Sequence, residues 1–197
     1  MWAFALFDAQ ENILFLSRDR VGKKPLYYAQ TGETFAFASE LSSLAEHPKI
    51  RTEVDQLSLM KYFAHGYVPA PSTMLKGVRK LPAGHNLVFK LSGRSYQVER
   101  YWRFEFAPDH SWIHREQELG DALVERLFAA VEMRLHADVP VGVFLSGGVD
   151  SSSVAALAIS VNRTRPVRTY SIGFEEPSFD ESAYSNDMAS LLGTEHT

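Results

Sequence analysis

Residues Val139–Ala155 read VPVGVFLSGGVDSSSVA. An apolar run, Val141 to Leu145, stops abruptly at Ser146-Gly147-Gly148. One more apolar residue precedes Asp150 and three serines, and a stretch of helical character follows from Ser152 to Val161. Buried strand, glycine-rich turn and helix is the order in which α/β proteins build a phosphate site. Adjacent glycines let the backbone turn without Cβ clashes and let its N–H groups approach an anion. The helix start adds unpaired N–H groups and the positive end of its dipole. A glycine pair alone is usually a steric solution to a tight turn. Here a strand, a double glycine, a carboxylate and helix-opening serines converge, which favours the anion site. The loop is not a GxxxxGK(S/T) loop, because it lacks the lysine.

Each residue of the loop has a role on this reading. Ser146, Gly147 and Gly148 offer hydroxyl and N–H groups to phosphate oxygens, and Ser151 and Ser152 add hydroxyl donors. Asp150 places an anion beside an anion site. A Mg²⁺ shared between Asp150 and the phosphates resolves that conflict; capping of the helix by the carboxylate is the rival role.

The rest of the second half fits a βαβα unit. From Glu116, Leu119, Leu123, Leu127, Val131 and Leu135 recur every four residues, an apolar stripe expected to be core, and Pro140 ends it. Strand Val141–Leu145, the glycine turn, the helix, strand Val167–Ile172 and a helix capped by Asp180 follow. This order predicts a parallel sheet with right-handed crossovers and a ligand at the strand carboxyl ends. Ser171, Ile172 and Gly173 end the neighbouring strand, where an adenine or ribose could rest.

The first half is β-rich. Trp2–Phe7 with Ile13–Arg18, and Pro25–Gln30 with Thr34–Ala38, read as two hairpins of one antiparallel meander. Ser39 is placed to cap a short helix, and Asp55 a longer one that stops at Gly66. Tyr67–Pro82 reads as an ordered loop, and His85–Leu91 with Tyr96–Tyr101 as a further hairpin. Arg18-Asp19-Arg20 and Lys23-Lys24 read as a hairpin turn with a buried Arg–Asp pair rather than an anion site. Tyr62, Phe63, Tyr67, Tyr96, Tyr101 and Trp102 read as packing rather than base-stacking residues. His110 and His114 are spaced i, i+4 with no third ligand, so they do not read as a metal site.

Composition excludes several classes. A net charge of −4 gives no general attraction for nucleic acid or anionic lipid. No run of about 18 apolar residues suggests a membrane span. The chain has no cysteine, hence no disulfide, thiolate metal site or cysteine nucleophile, which is compatible with a cytoplasmic location. Both ends meet strand-like sequence at once, so the chain reads as an internal segment of a longer polypeptide.

Ser-Gly-Gly-x-Asp-Ser resembles the pyrophosphate loop of the N-type ATP pyrophosphatases. The ordered motifs AFALFD, SRDRVGKKPLYYA, FASEL, GYVPAPSTMLKGVRKLPAGH, DVPVGVFLSGGVDSS and YSIGFEEPSFDESAY together resemble the glutamine-hydrolysing asparagine synthetases and their amidotransferase relatives. The resemblance covers the whole chain. It implies an α/β and α+β fold in which residues 1–102 are the C-terminal part of an antiparallel Ntn-hydrolase-type class II glutaminase domain, and residues 103–115 a linker. Residues 116–197 are then the start of a parallel-sheet PP-loop ATP pyrophosphatase domain of the adenine nucleotide alpha-hydrolase-like type. The implied reaction makes asparagine from aspartate, glutamine and ATP through an acyl-adenylate, with ATP and Mg²⁺ required, small molecules as the only partners and a homodimer possible for the full-length protein. Phe144, Leu145, Ile172 and Gly173 resemble AMP contacts. Ser146, Gly147, Gly148, Asp150, Ser151 and Ser152 form the pyrophosphate and Mg²⁺ loop. The family's cysteine nucleophile has no counterpart here, so no catalytic residue is carried over. Alternatives are a related amidotransferase or β-lactam-forming synthetase with another acceptor, or an inactive truncated nucleotide-binding module.

Overall fold

The computed structural model describes residues 1–112, 115–162 and 166–197. It forms two compact units, Met1–Ala107 and Pro108–Thr197. Unit one carries β1 (Ala3–Asp8), β2 (Ile13–Arg18), β3 (Tyr27–Thr31), β4 (Thr34–Ala38), α1 (Leu41–Ala45), α2 (Gln56–His65), β5 (Val78–Lys80), β6 (His85–Lys90) and β7 (Ser95–Arg100). Unit two carries α3 (Glu116–Leu135), β8 (Gly142–Phe144), α4 (Val149–Val161), β9 (Arg168–Tyr170), α5 (Ser182–Leu192) and β10 (Glu195–His196).

The three expected hairpins of unit one form, but not as a single meander. They divide between an antiparallel sheet ordered β1-β2-β6-β7 and a second ordered β4-β3-β5. The split happens because β2 pairs with β6, setting Leu16 opposite Leu87, instead of with β3. Each sheet then has an apolar face, and Leu16, Leu26, Tyr28, Leu81, Leu87 and Phe89 close into one core. The Phe35 and Phe89 rings stack at 4.4 Å across it. A smaller cluster of Ala29, Leu44, Ile50 and Val78 seats α1.

Three local expectations of unit one are corrected. Tyr67–Pro82 is not all loop: Val78–Lys80 pairs with β3 as its third strand, a segment too short to show alternation in sequence. Ser39 caps nothing, because α1 starts two residues later behind Glu40, whose side chain makes no cap hydrogen bond. Tyr62, Phe63 and Tyr67 are exposed, Phe63 by 79%; α2 buries only Ser58, so its aromatic side is not core. Asp55 caps α2 as expected, accepting from the Ser58 N–H at 2.7 Å, and Gly66 ends it in the left-handed conformation.

In unit two the strands pair in parallel in the order β10-β9-β8. Val131, Ala158 and Val167 form one apolar cluster, and Leu145, Ala155 and Ala189 another. The α3 stripe is only partly core: Val131 is buried, whereas Leu119 and Leu123 are exposed. β8 is not a buried strand either. It lies at the edge of the sheet with one neighbour, so Phe144 is 75% exposed while Leu145, just beyond it, is buried. No described helix is long and apolar enough to cross a membrane.

Candidate functional site

The loop from Ser146 to Ser151 joins β8 to α4. Gly148 takes the N-cap position with extended backbone (φ −72°, ψ 160°) and α4 begins at Val149, earlier than the serines suggest. The serines therefore lie inside the first two turns, and Asp150 sits in the first turn instead of capping the helix. Its anionic side chain is favourable there, next to the positive end of the helix dipole. The N–H groups of Val149, Asp150 and Ser151 have no protein partner among the described residues; the first helical bond is Ser152 N–H to Gly148 O.

Gly147 is required by its position. Its φ is +80°, and a Cβ built there would lie 2.6 Å from the backbone carbonyl carbon of Tyr184 in α5. Gly148 has no such restriction, its nearest neighbour being Ser146 Oγ at 3.4 Å.

Two serines hold the loop shape. Ser151 Oγ donates to Gly148 O at 3.2 Å and accepts from Ser146 N–H at 3.2 Å. With the Ser151 proton placed there, the 3.0 Å contact between Ser146 Oγ and Ser151 Oγ has Ser146 as donor. Ser146 Oγ in turn accepts a long bond from Gly148 N–H at 3.4 Å. Both hydroxyls thus shape the loop itself. Ser152 Oγ is buried without a hydrogen-bond partner.

A cleft of about 280 Å³ opens at the carboxyl ends of β8 and β9. It brings together Phe144, Leu145, Ser146, Ser151, Ser171 and Ile172 from the sequence-based set. Gly147, Gly148, Asp150, Ser152 and Gly173 do not line it. Asp150 and Ser151 instead border an apolar groove between α3, β8 and α4. Beyond β9, Asp180 Oδ1 accepts from Ser182 Oγ, from Ser182 N–H at 3.2 Å and from Phe174 N–H at 3.4 Å. The bonds from the Ser182 hydroxyl, its N–H and the Phe174 N–H hold the Asp180 carboxyl below its usual pKa, against a small opposing effect of burial. This braces the Gly173 turn, although the N-cap residue of α5 is Glu181.

The sequence reading missed Tyr184, which backs Gly147. Tyr184 looks like any helical apolar residue. Among the described residues, no group of three or more His, Asp or Glu could hold a metal ion by itself. His110 lies in a short 3₁₀ turn, and His114 is outside the described residues.

Residues 1–102 match the family model of the glutamine amidotransferase domain, and residues 122–197 that of asparagine synthase. The chain belongs to the asparagine synthetase family of glutamine amidotransferases. Among its relatives, a Methanocaldococcus jannaschii protein carrying the same family name is 37% identical over 198 residues, covering all of this chain and 38% of that protein. Asparagine synthetase (glutamine-hydrolyzing) 3 of Bacillus subtilis is 37% identical over 212 residues, covering all of this chain and 33% of its own length. Amidase chyE of Penicillium rubens is 33% identical, over 98% of this chain and 30% of the amidase. The chain spans about a third of the length of the curated relatives it matches.

Proposed function

We propose that the chain is part of an ATP-dependent, glutamine-hydrolysing asparagine synthetase, with residues 1–102 from its glutaminase domain and residues 116–197 opening its PP-loop ATP pyrophosphatase domain. The observation that carries the reading is the loop between β8 and α4. Its three unpartnered N–H groups and its left-handed Gly147 suit phosphate oxygens. Phe144, Leu145 and Ile172, which line the cleft at the strand ends, would border the AMP portion.

In the proposed reaction a β-carboxylate oxygen of aspartate attacks the α-phosphorus of ATP. The bond from that phosphorus to the oxygen bridging to the β-phosphate breaks, and pyrophosphate leaves with the bonding electrons. Ammonia from glutamine then attacks the acyl carbon, AMP departs, and the nitrogen loses a proton to give the amide. The loop's part is to hold the departing pyrophosphate, whose negative charge grows as the bond breaks. The exposed Asp150 carboxylate has no partner among the described residues. One carboxylate plus phosphate oxygens is a fitting Mg²⁺ environment. Mg²⁺ held there would neutralise charge on the leaving group.

The test is to supply the intact protein with ATP, aspartate and glutamine and to measure AMP and pyrophosphate. Equal, aspartate-dependent release of both is expected; ADP formation, or no AMP, overturns the reading. The likeness to amidase chyE favours a second reading, the same adenylation with another acceptor acid. AMP release that needs a carboxylic acid other than aspartate would select it.

A further inference from the structure

We infer that His196 is a positioning residue, which fixes the Ser171 hydroxyl for contact with the nucleoside part of a nucleotide in the cleft. The inference rests on the nucleotide reading above. β10 runs parallel to β9 with His196 opposite Thr169. Side chains alternate along a strand, so Thr169 and Ser171 stand on one face, beside the imidazole. His196 Nδ1 lies 2.9 Å from Thr169 Oγ1, and Nε2 lies 3.2 Å from Ser171 Oγ. Thr169 is fully buried, and its Oγ1 is also 2.7 Å from Thr194 Oγ1. The result is an unbroken chain Thr194–Thr169–His196–Ser171.

A neutral imidazole has one donor and one acceptor nitrogen, so the chain has a direction. With the proton on Nε2, His196 donates to Ser171, whose own O–H is free to donate into the cleft. With the proton on Nδ1, Ser171 donates to Nε2 and offers only lone pairs to the cleft. In both cases His196 occupies one hydrogen-bonding direction of Ser171 and leaves the other for a ligand. Ser171 lines the cleft and His196 does not. The Ser171 backbone is also held, its N–H donating to Thr197 O at 3.0 Å. Ser171 follows β9, whereas the phosphate-type donors follow β8. Its natural contact is therefore the base or ribose and not the phosphates.

Calorimetric titration of the intact protein with ATP and, separately, with pyrophosphate, both in Mg²⁺, tests this. Ser171→Ala and His196→Ala should each weaken ATP binding about fivefold, the scale of one hydrogen bond, and leave pyrophosphate binding unchanged. The double variant should be no weaker than either single one. His196→Gln, which keeps a donor and an acceptor, should recover most of the loss and guards against a folding defect in His196→Ala. ATP binding unchanged in Ser171→Ala, or losses that add in the double variant, overturns the role of His196 and leaves the nucleotide reading intact. Failure of the unaltered protein to bind both ATP and pyrophosphate overturns the nucleotide reading itself.

Discussion

Arg18 and Asp19 are neighbours in sequence, and both are buried, 8% and 2% exposed, yet each is bound by main-chain groups and not by the other. The Arg18 guanidinium donates to the carbonyls of Lys24, Leu81 and Gly22 at 2.8, 2.6 and 2.7 Å. The Asp19 carboxylate accepts from the N–H groups of Trp2, Val21, Lys23 and Lys24 at 3.2, 3.2, 3.0 and 3.0 Å. Tyr101 Oη closes the cluster by donating to Arg18 O at 2.7 Å. Together these bonds tie the start of β1, the turn after β2 and the approach to β6 into one node. The expected buried pair is present as two buried charges, but its stabilising partners are carbonyl and N–H dipoles.

Asp19→Ala should therefore be severely destabilising, because it leaves four N–H groups without their acceptor. A loss of about 2–4 kcal/mol is expected from urea unfolding. Arg18→Met should cost a comparable amount by abandoning three carbonyls. If the two side chains acted mainly through each other, the double variant would recover most of the loss; near-additive losses are expected instead.

Acid should reveal the same node. Burial pushes the Asp19 carboxyl up, but the N–H donors of Lys24, Lys23, Trp2 and Val21 together outweigh it and hold the pKa below its ordinary value. A carboxyl with a depressed folded pKa contributes stability that is complete above its unfolded pKa, about 3.9, and is lost as pH falls through the folded value. Unfolding free energy should fall below about pH 4, and this part of the slope should vanish in Asp19→Asn. An unchanged slope in Asp19→Asn would exclude Asp19 as its source.

Gly147 and Gly148 should separate under substitution although they are adjacent. Gly147→Ala forces a Cβ to within 2.6 Å of Tyr184 main chain at a φ of +80°. A destabilisation of about 1–3 kcal/mol and loss of ATP binding are expected. Gly148→Ala meets nothing closer than Ser146 Oγ at 3.4 Å, so its melting temperature should stay near that of the unaltered protein. Equal melting of the two variants would mean that the Gly147 turn relaxes freely.

The legible parts were those with local chemistry. Asp55 and Gly66 bracket α2 because a cap and a left-handed stop each act within four residues. The hairpins followed from alternation, and the loop after β8 from its glycines. The pairing of β2 with β6 was not legible, because it joins segments about 70 residues apart through turn hydrogen bonds that no local pattern encodes. The exposure of Phe63, Leu119 and Phe144 was not legible either. An apolar side chain reads as core whether or not this chain supplies its cover. At the candidate site, sequence placed the loop and Ser171 but not their bracing, since Tyr184 and His196 reach them only through the packing of α5 and β10.

Asp150 gives the last prediction its clearest contrast. The carboxylate is exposed in the first turn of α4 and holds no other residue in place among those described. Asp150→Asn should leave the melting temperature within about 2 °C, as for a surface change of less than 0.5 kcal/mol. If its work is to share Mg²⁺ with the departing pyrophosphate, the same change should lower AMP formation by the intact protein at least about a hundredfold. Raising Mg²⁺ should restore part of that loss, and Asp150→Glu should be restored more fully than Asp150→Asn. AMP formation in Asp150→Asn at the unaltered rate and with unaltered Mg²⁺ dependence would remove the carboxylate from the metal site and leave it as a favourable charge at the helix start.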